Sequence, residues 1–134
     1  MSVLREAENG PAVVVCDTCR FSAEERDGPD GVRGGALLAK ALREAADGTG
    51  VAVQTMPCLF NCGQHCSVHL RAPGKIGYVL GRFEPTAEAA RAILDYALAY
   101  AESEEGVVPY RQWPEGVKGH FIVRVPPAGK LVAD

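Results

Sequence analysis

The sequence has no long hydrophobic run and no leader-like segment. No stretch of its 134 residues approaches the roughly 20 apolar residues that span a bilayer. The first ten residues, MSVLREAENG, carry acidic side chains and lack an apolar centre, so we expect no secretory signal. We therefore predict a cytoplasmic protein that does not enter a membrane.

Positive charge and catalytic motifs are also scarce. The formal net charge of −3 argues against non-specific binding to nucleic acid or to acidic lipid. The sequence contains neither the G-x-G-x-x-G fingerprint nor the P-loop Lys-Ser/Thr, which removes two common nucleotide sites. No Ser/His/Asp arrangement and no pair of carboxylates stands out. Motifs for nucleic-acid readout are absent as well, so we expect no nucleic-acid partner.

The first half of the chain has the pattern of a strand, a helix and a second strand. The β-branched run PAVVVC (11–16) predicts a buried strand. The segment ALLAKALREAAD (36–47) predicts a helix with Leu38, Leu42 and Ala45 on its apolar face. VAVQTM (51–56) alternates and predicts the second strand. Because such a unit normally crosses over right-handed, the two strands should be parallel neighbours.

A hairpin and a second helix follow. Pro73 and Gly74 suit the centre of a type II turn within SVHLRAPGKIGYVLG (67–81). PTAEAARAILDYALAYAESE (85–104) predicts a helix with Thr86 near its N-cap.

The order β-α-β-β-β-α predicts an α/β, thioredoxin-like fold with a mixed four-stranded sheet and helices packed on it. We expect a single domain over residues 1–134, with a core at 11–103 and a C-terminal extension at 104–134. Within that extension, HFIVRV (120–125) is a candidate fifth strand at the sheet edge.

All five cysteines lie in two loops. Cys16 and Cys19 lie at or just past the end of the first predicted strand, and Cys58, Cys62 and Cys66 lie past the end of the second. Since the carboxyl ends of neighbouring parallel strands share one sheet edge, the two loops should converge. Lasting disulfides are rare in the cytosol, and an odd number of cysteines does not suit a disulfide framework. The cysteines therefore point to metal or thiol chemistry.

Three chemistries suit these cysteines. A [2Fe–2S] cluster needs four thiolates, with one pair on each iron. Structural zinc also takes four thiolates, although its commonest knuckles use two C-x-x-C pairs and only Cys16 and Cys19 have that spacing. Thiol–disulfide exchange by Cys16 and Cys19 normally needs a helix start beside the first cysteine, and a long loop separates Cys19 from the predicted helix. Burial as a small apolar side chain explains one cysteine well and five poorly.

The pattern VVVC, the glycine-rich approach to a helix, and CLFNC before a hairpin resemble the thioredoxin-like [2Fe–2S] ferredoxins over residues 11–103. This resemblance implies a single-electron carrier rather than an enzyme, commonly a homodimer, with protein redox partners as donor and acceptor. It also implies a [2Fe–2S] cofactor whose metal ligands are Cys16, Cys19, Cys58 and Cys62. Cys58 and Cys62 match the family's C-x-x-x-C, whereas Cys19 lies closer to Cys16 than in the family. Cys66 is an additional cysteine and an alternative ligand.

The chain also resembles a family of small bacterial five-cysteine proteins described as predicted metal-binding, which have a tail like VVPYRQWPE. That family is associated with cobalamin synthesis. A zinc-binding protein or metallochaperone is thus the alternative function, and a thiol–disulfide oxidoreductase is a further one.

Two other features of the loops bear on chemistry. Backbone amides of LFNCGQH (59–65) are the expected hydrogen-bond donors to the sulfurs. Arg20, Arg26 and Arg33 either supply charge near the sulfurs, attract an acidic partner, or belong to the ordinary solvated surface.

Overall fold

The chain forms five β-strands and two α-helices across residues 2–61 and 63–133, the part that the computed structural model describes. Cys62, one of the predicted ligands, lies outside these residues. The elements in chain order are β1 (Ala12–Cys16), α1 (Gly34–Ala46), β2 (Ala52–Met56), β3 (Val68–Arg71), β4 (Gly77–Leu80), α2 (Ala87–Glu102) and β5 (Phe121–Val125).

The strands form one mixed sheet in the order β2-β1-β3-β4-β5. β1 and β2 are parallel, and the other neighbouring pairs are antiparallel. This arrangement confirms the predicted α/β, thioredoxin-like fold. The sheet has five strands and not the expected four, because β5 of the C-terminal extension joins it. β5 pairs with β4, and the pairing has an irregularity between Val79 and Leu80.

Strand β1 lies at the centre of the structure. All five of its residues are buried, since the strand has β2 on one side and β3 on the other. Val13 and Val15 belong to the hydrophobic core. The parallel register places Cys16 opposite Met56. Both strands therefore end at the same edge of the sheet. Cys16 is the last residue of β1, and Cys58 lies two residues after the end of β2.

The two helices pack against each other and bury apolar faces into the same core. In α1 the buried side chains include Leu38, Leu42 and Ala46, whereas the predicted Ala45 is half-buried. Helix α2 begins as predicted, with the Thr86 hydroxyl oxygen accepting a hydrogen bond from the amide of Ala89 at 3.1 Å. Among the described residues, no helix combines the length and the apolar character that crossing a membrane requires.

Aromatic side chains hold the C-terminal extension to the core. The Trp113 ring lies 4.5 Å from that of Phe121 in β5 and meets Tyr96 of α2 edge-on at 5.7 Å. Its indole Nε1 donates a hydrogen bond to the carbonyl of Val108 at 2.8 Å. Such aromatic contacts stabilise beyond the area they bury. Trp113 is therefore an intramolecular anchor for this segment.

Helix α1 starts in close contact with the backbone that follows β1. A Cβ atom built on Gly35 would overlap the carbonyl oxygen of Cys16, and one on Gly34 would lie 2.6 Å from the Cα of Phe21. Only glycine permits this approach. The amide of Gly35 also donates a hydrogen bond to the carbonyl of Cys19 at 3.2 Å. The loop is long in sequence, yet it returns so that the helix begins beside Cys19.

We predict that Gly35→Ala destabilises the protein by about 3 kcal/mol, the upper end of the usual cost of overpacking. In a helix, alanine is normally more favourable than glycine by about 1 kcal/mol. A loss of stability in this variant would therefore come from the overlap with the Cys16 carbonyl oxygen. Urea unfolding of the reduced, metal-free protein measures the free energy. Gly10→Ala is the control, because nothing lies within 4 Å of its Cβ position. Equal stability of the two variants would contradict the prediction.

Candidate metal centre

The two cysteine loops meet at the edge where β1 and β2 end, and Thr18 joins them. Its hydroxyl oxygen accepts a hydrogen bond from the amide of Cys58 at 3.2 Å and lies 3.7 Å from the sulfur of Cys16. The amide of Asp17 donates to the carbonyl of Met56 at 3.1 Å. The parallel pairing of β1 and β2 thus brings together cysteines that lie about 40 residues apart.

Cys16 and Cys19 form a buried pair of thiols. Only 3% and 6% of their surface is exposed. The neighbouring Cys19 side chain, opposed by burial and helped by Leu59 and Thr18, lowers the pKa of Cys16. The Cys16 side chain, together with burial, raises the pKa of Cys19. Cys16 is therefore the more acidic thiol of the pair.

Backbone amides donate hydrogen bonds to two of the cysteine sulfurs. The amide of Ser67 lies 3.5 Å from the sulfur of Cys19, and that of Phe60 lies 3.3 Å from the sulfur of Cys58. Amide donors stabilise negative charge on sulfur. Phe60 lies in the segment expected to supply such donors, whereas Ser67 was not foreseen.

The second loop contains three residues in the left-handed backbone region, and none of them is glycine. Cys58, Phe60 and Cys66 have φ values of 60°, 56° and 52°. Each such residue costs on the order of 1 kcal/mol, and strain of this kind concentrates at functional sites. A side-chain hydrogen bond from Asn61 to the hydroxyl of Ser67, 3.0 Å long, closes the loop. The fold therefore holds this strained conformation in place.

Arg82 fastens the far end of the same loop. Its amide donates to the carbonyl of His65 at 2.7 Å, and its guanidinium donates to the side-chain oxygen of Gln64 at 2.7 Å. A further bond reaches the carbonyl of Gly119. Arg82 therefore links the cysteine loop to the C-terminal extension, a role that no pattern in the sequence indicated.

Cys66 differs from the other described cysteines. It is completely buried within the hydrophobic core, and its sulfur donates to the carbonyl of Arg20 at 3.5 Å. Burial raises the pKa of its thiol to about 12. Cys66 is therefore a neutral thiol that packs as a small apolar side chain.

The donor set fits part of an iron–sulfur site. One iron of a [2Fe–2S] cluster takes two thiolates from a protein, and Cys16 and Cys19 supply two thiols side by side. The amide of Ser67 already donates to the sulfur of Cys19. The other iron would require Cys58 together with Cys62, which lies outside the described residues. Within residues 2–61 and 63–133, no three cysteine, histidine or carboxylate side chains are placed to hold a single metal ion.

The sequence of residues 13–127 matches the model of a family described as a protein of unknown function, DUF1636. The chain belongs to this family. The solved structure of a thioredoxin-like [2Fe–2S] ferredoxin from Aquifex aeolicus is similar to this DUF1636 protein, with 17% sequence identity and a TM-score of 0.52. The similarity covers 92% of this chain and 100% of that chain. No curated protein matches the sequence. At this identity the likeness to the ferredoxin concerns the fold.

We predict that iodoacetamide alkylates Cys58 before the other described cysteines when the protein is folded, reduced and metal-free at pH 8. Cys58 is half-buried, whereas Cys66 has no exposed surface and a raised pKa. Reaction requires an accessible thiolate, so Cys66 should react last, at the rate of global unfolding. Mass spectrometry of peptides after timed quenching gives the order. Modification of Cys66 ahead of Cys58 would contradict this description of the site.

Proposed function

We propose that this DUF1636 protein is an electron carrier that binds one [2Fe–2S] cluster through Cys16, Cys19, Cys58 and Cys62. The observation that carries the proposal is the convergence of the two cysteine loops, in which backbone amides donate to the sulfurs of Cys19 and Cys58. When bound, such a cluster takes up and releases one electron. The ferredoxin fold of the solved structure supports the same function.

The protein's own groups would hold and shield the sulfurs. Burial of Cys16 and Cys19 keeps water from that side of the site. The amides of Phe60 and Ser67 would offset negative charge on the ligands. Cys58 is half-buried, and the neighbouring Phe60 side chain is 96% exposed. The side of the site at Cys58 is therefore where a redox partner would approach.

The partners of this carrier are proposed as a protein electron donor and a protein electron acceptor. A cytoplasmic location, a link to cobalamin synthesis and a homodimer stay predictions from the sequence. Val123 and Val125 on edge strand β5 are 49% and 37% exposed, which offers apolar surface for a second copy, and light scattering would test this directly.

Cys66 is proposed to be a packing residue and not a ligand. Its burial in the core and its bond to the Arg20 carbonyl satisfy the thiol without a metal.

A thiol–disulfide oxidoreductase is a second candidate, favoured by one observation. The lowered pKa of Cys16 beside the raised pKa of Cys19 is the asymmetry that dithiol exchange requires. The sulfur of Cys16 is poorly placed for attack, however, because the residue is only 3% exposed. Reduction of insulin disulfides by metal-free protein, abolished by Cys16→Ala, would establish this function in place of the carrier.

We predict that alanine replacement of Cys16, Cys19, Cys58 or Cys62 abolishes the visible absorption of the anaerobically purified protein. Each change removes one of four required ligands. Cys66→Ala should keep the spectrum and its bleaching by dithionite, and should cost only packing stability. Absorption spectra of the five single variants, taken beside wild type, provide the measurement.

The matched substitution at all five positions separates ligation from packing. Loss of the spectrum in Cys66→Ala with retention in Cys19→Ala would transfer the fourth ligand from Cys19 to Cys66. A colourless wild type that contains about one zinc would instead support the zinc-binding or metallochaperone alternative.

A further inference from the structure

Thr18 occupies the third position of a tight turn between two of the predicted ligands. The amide of Cys19 donates a hydrogen bond to the carbonyl of Cys16 at 3.3 Å, which closes the turn. The guanidinium of Arg33, the residue before α1, donates to the carbonyl of Thr18 at 2.6 Å. The backbone of Thr18 is therefore held both by the turn and by the start of the helix.

The hydroxyl of Thr18 can make two hydrogen bonds at once. A threonine hydroxyl has one proton to donate and two lone pairs that accept. One lone pair accepts from the amide of Cys58 at 3.2 Å. The hydroxyl oxygen also lies 3.7 Å from the sulfur of Cys16, and either atom can be the donor while Cys16 is a thiol. A metal-bound cysteine is a thiolate without a proton, so only the Thr18 hydroxyl could then donate.

The two contacts of this hydroxyl lie on different cysteine loops. Cys16 ends β1, whereas Cys58 follows β2. In the proposed cluster these two residues are ligands of different irons. Because a β-branched side chain has few rotamers, the hydroxyl is held between the two loops. Thr18 therefore fixes the position of one ligand pair relative to the other.

We propose that Thr18 is a positioning residue for the iron–sulfur site, whose hydroxyl holds the Cys58 amide and donates its proton to the Cys16 thiolate. This inference rests on the proposed function. Four thiolates, two ferric ions and two sulfides carry two net negative charges, and one added electron makes them three. A hydrogen-bond donor to sulfur stabilises the more negative state more strongly. Thr18 thus raises the reduction potential and makes the carrier easier to reduce.

The test compares wild type, Thr18→Val, Thr18→Ser and the control Thr49→Val. Valine keeps the branched shape of threonine without its hydroxyl, and Thr18 is exposed, so the core is undisturbed. Iron and acid-labile sulfide are counted first, and the midpoint potential is then measured by an anaerobic optical titration. We expect Thr18→Val to raise the ratio of oxidised to reduced protein at the wild-type midpoint about tenfold, a downward shift of about 59 mV.

The other two variants assign the shift to the hydroxyl. Thr18→Ser keeps the hydroxyl and should have a potential close to that of wild type. Thr49→Val removes a hydroxyl that donates to the carbonyl of Ala46 at 2.6 Å, at the end of α1 away from the cysteines. Its potential should match that of wild type.

Amide hydrogen exchange of the metal-free protein gives a readout that needs no cluster. The amide of Cys58 should exchange several-fold faster in Thr18→Val than in wild type, because the variant removes its acceptor. Thr18→Ser should keep the slower rate. Equal rates in wild type and Thr18→Val would overturn the positioning role.

The outcomes separate this inference from the proposed function. A wild type without iron and sulfide would remove both. An intact cluster with the same potential in wild type and Thr18→Val would remove only the role of Thr18, as would an equal shift in Thr18→Ser or in Thr49→Val. If Thr18→Val assembles no cluster, Thr18→Ser decides: a cluster of wild-type potential there supports the role of the hydroxyl, and loss of the cluster there overturns it.

Discussion

The site depends on one close contact, between the first turn of helix α1 and the backbone that leaves β1. Gly35 packs directly on the carbonyl of Cys16, and its amide holds the carbonyl of Cys19. Gly34, the preceding residue, packs in a similar way on the carbonyl of Arg20. Without these glycines the helix would have to move away from the strand. The turn that contains Cys16 and Cys19 would then lose its packing against the first turn of α1.

The parallel pairing of β1 and β2 supplies the other half of the site. The register that sets Cys16 opposite Met56 brings the second loop to Thr18, whose hydroxyl contacts both loops. The second loop then adopts left-handed conformations at three residues. Hydrogen bonds from Asn61 and Arg82 hold it there. Local strain in this loop is thus balanced by contacts with the rest of the fold.

Much of the fold follows from local patterns. Apolar periodicity located both helices, the β-branched run located β1, and Thr86 marked the start of α2 as its observed cap. The edge strand β5 was visible as an alternating segment. Ala45 was a less accurate choice than Ala46 for the buried face of α1, since Ala46 is buried and Ala45 is half-buried.

The details of the site could not be predicted in this way. The contacts of Gly34 and Gly35 were not predictable, since nothing in the sequence shows which backbone these glycines will approach. Thr18 and Ser67 matter only because a distant loop lies beside them. The residues with a left-handed backbone conformation are not glycines, so the sequence does not mark their positions. Convergence of the cysteine loops was predictable because it follows from strand topology, whereas the donors to each sulfur depend on tertiary contacts.

The measurement that tests the central claim most directly is a count of iron and acid-labile sulfide in anaerobically purified wild-type protein. A single [2Fe–2S] cluster held by two cysteine pairs requires about two irons and two sulfides per chain. Protein that contains iron and sulfide in this proportion would support the electron carrier. Protein that is free of sulfide, whether it contains zinc or no metal, would contradict it.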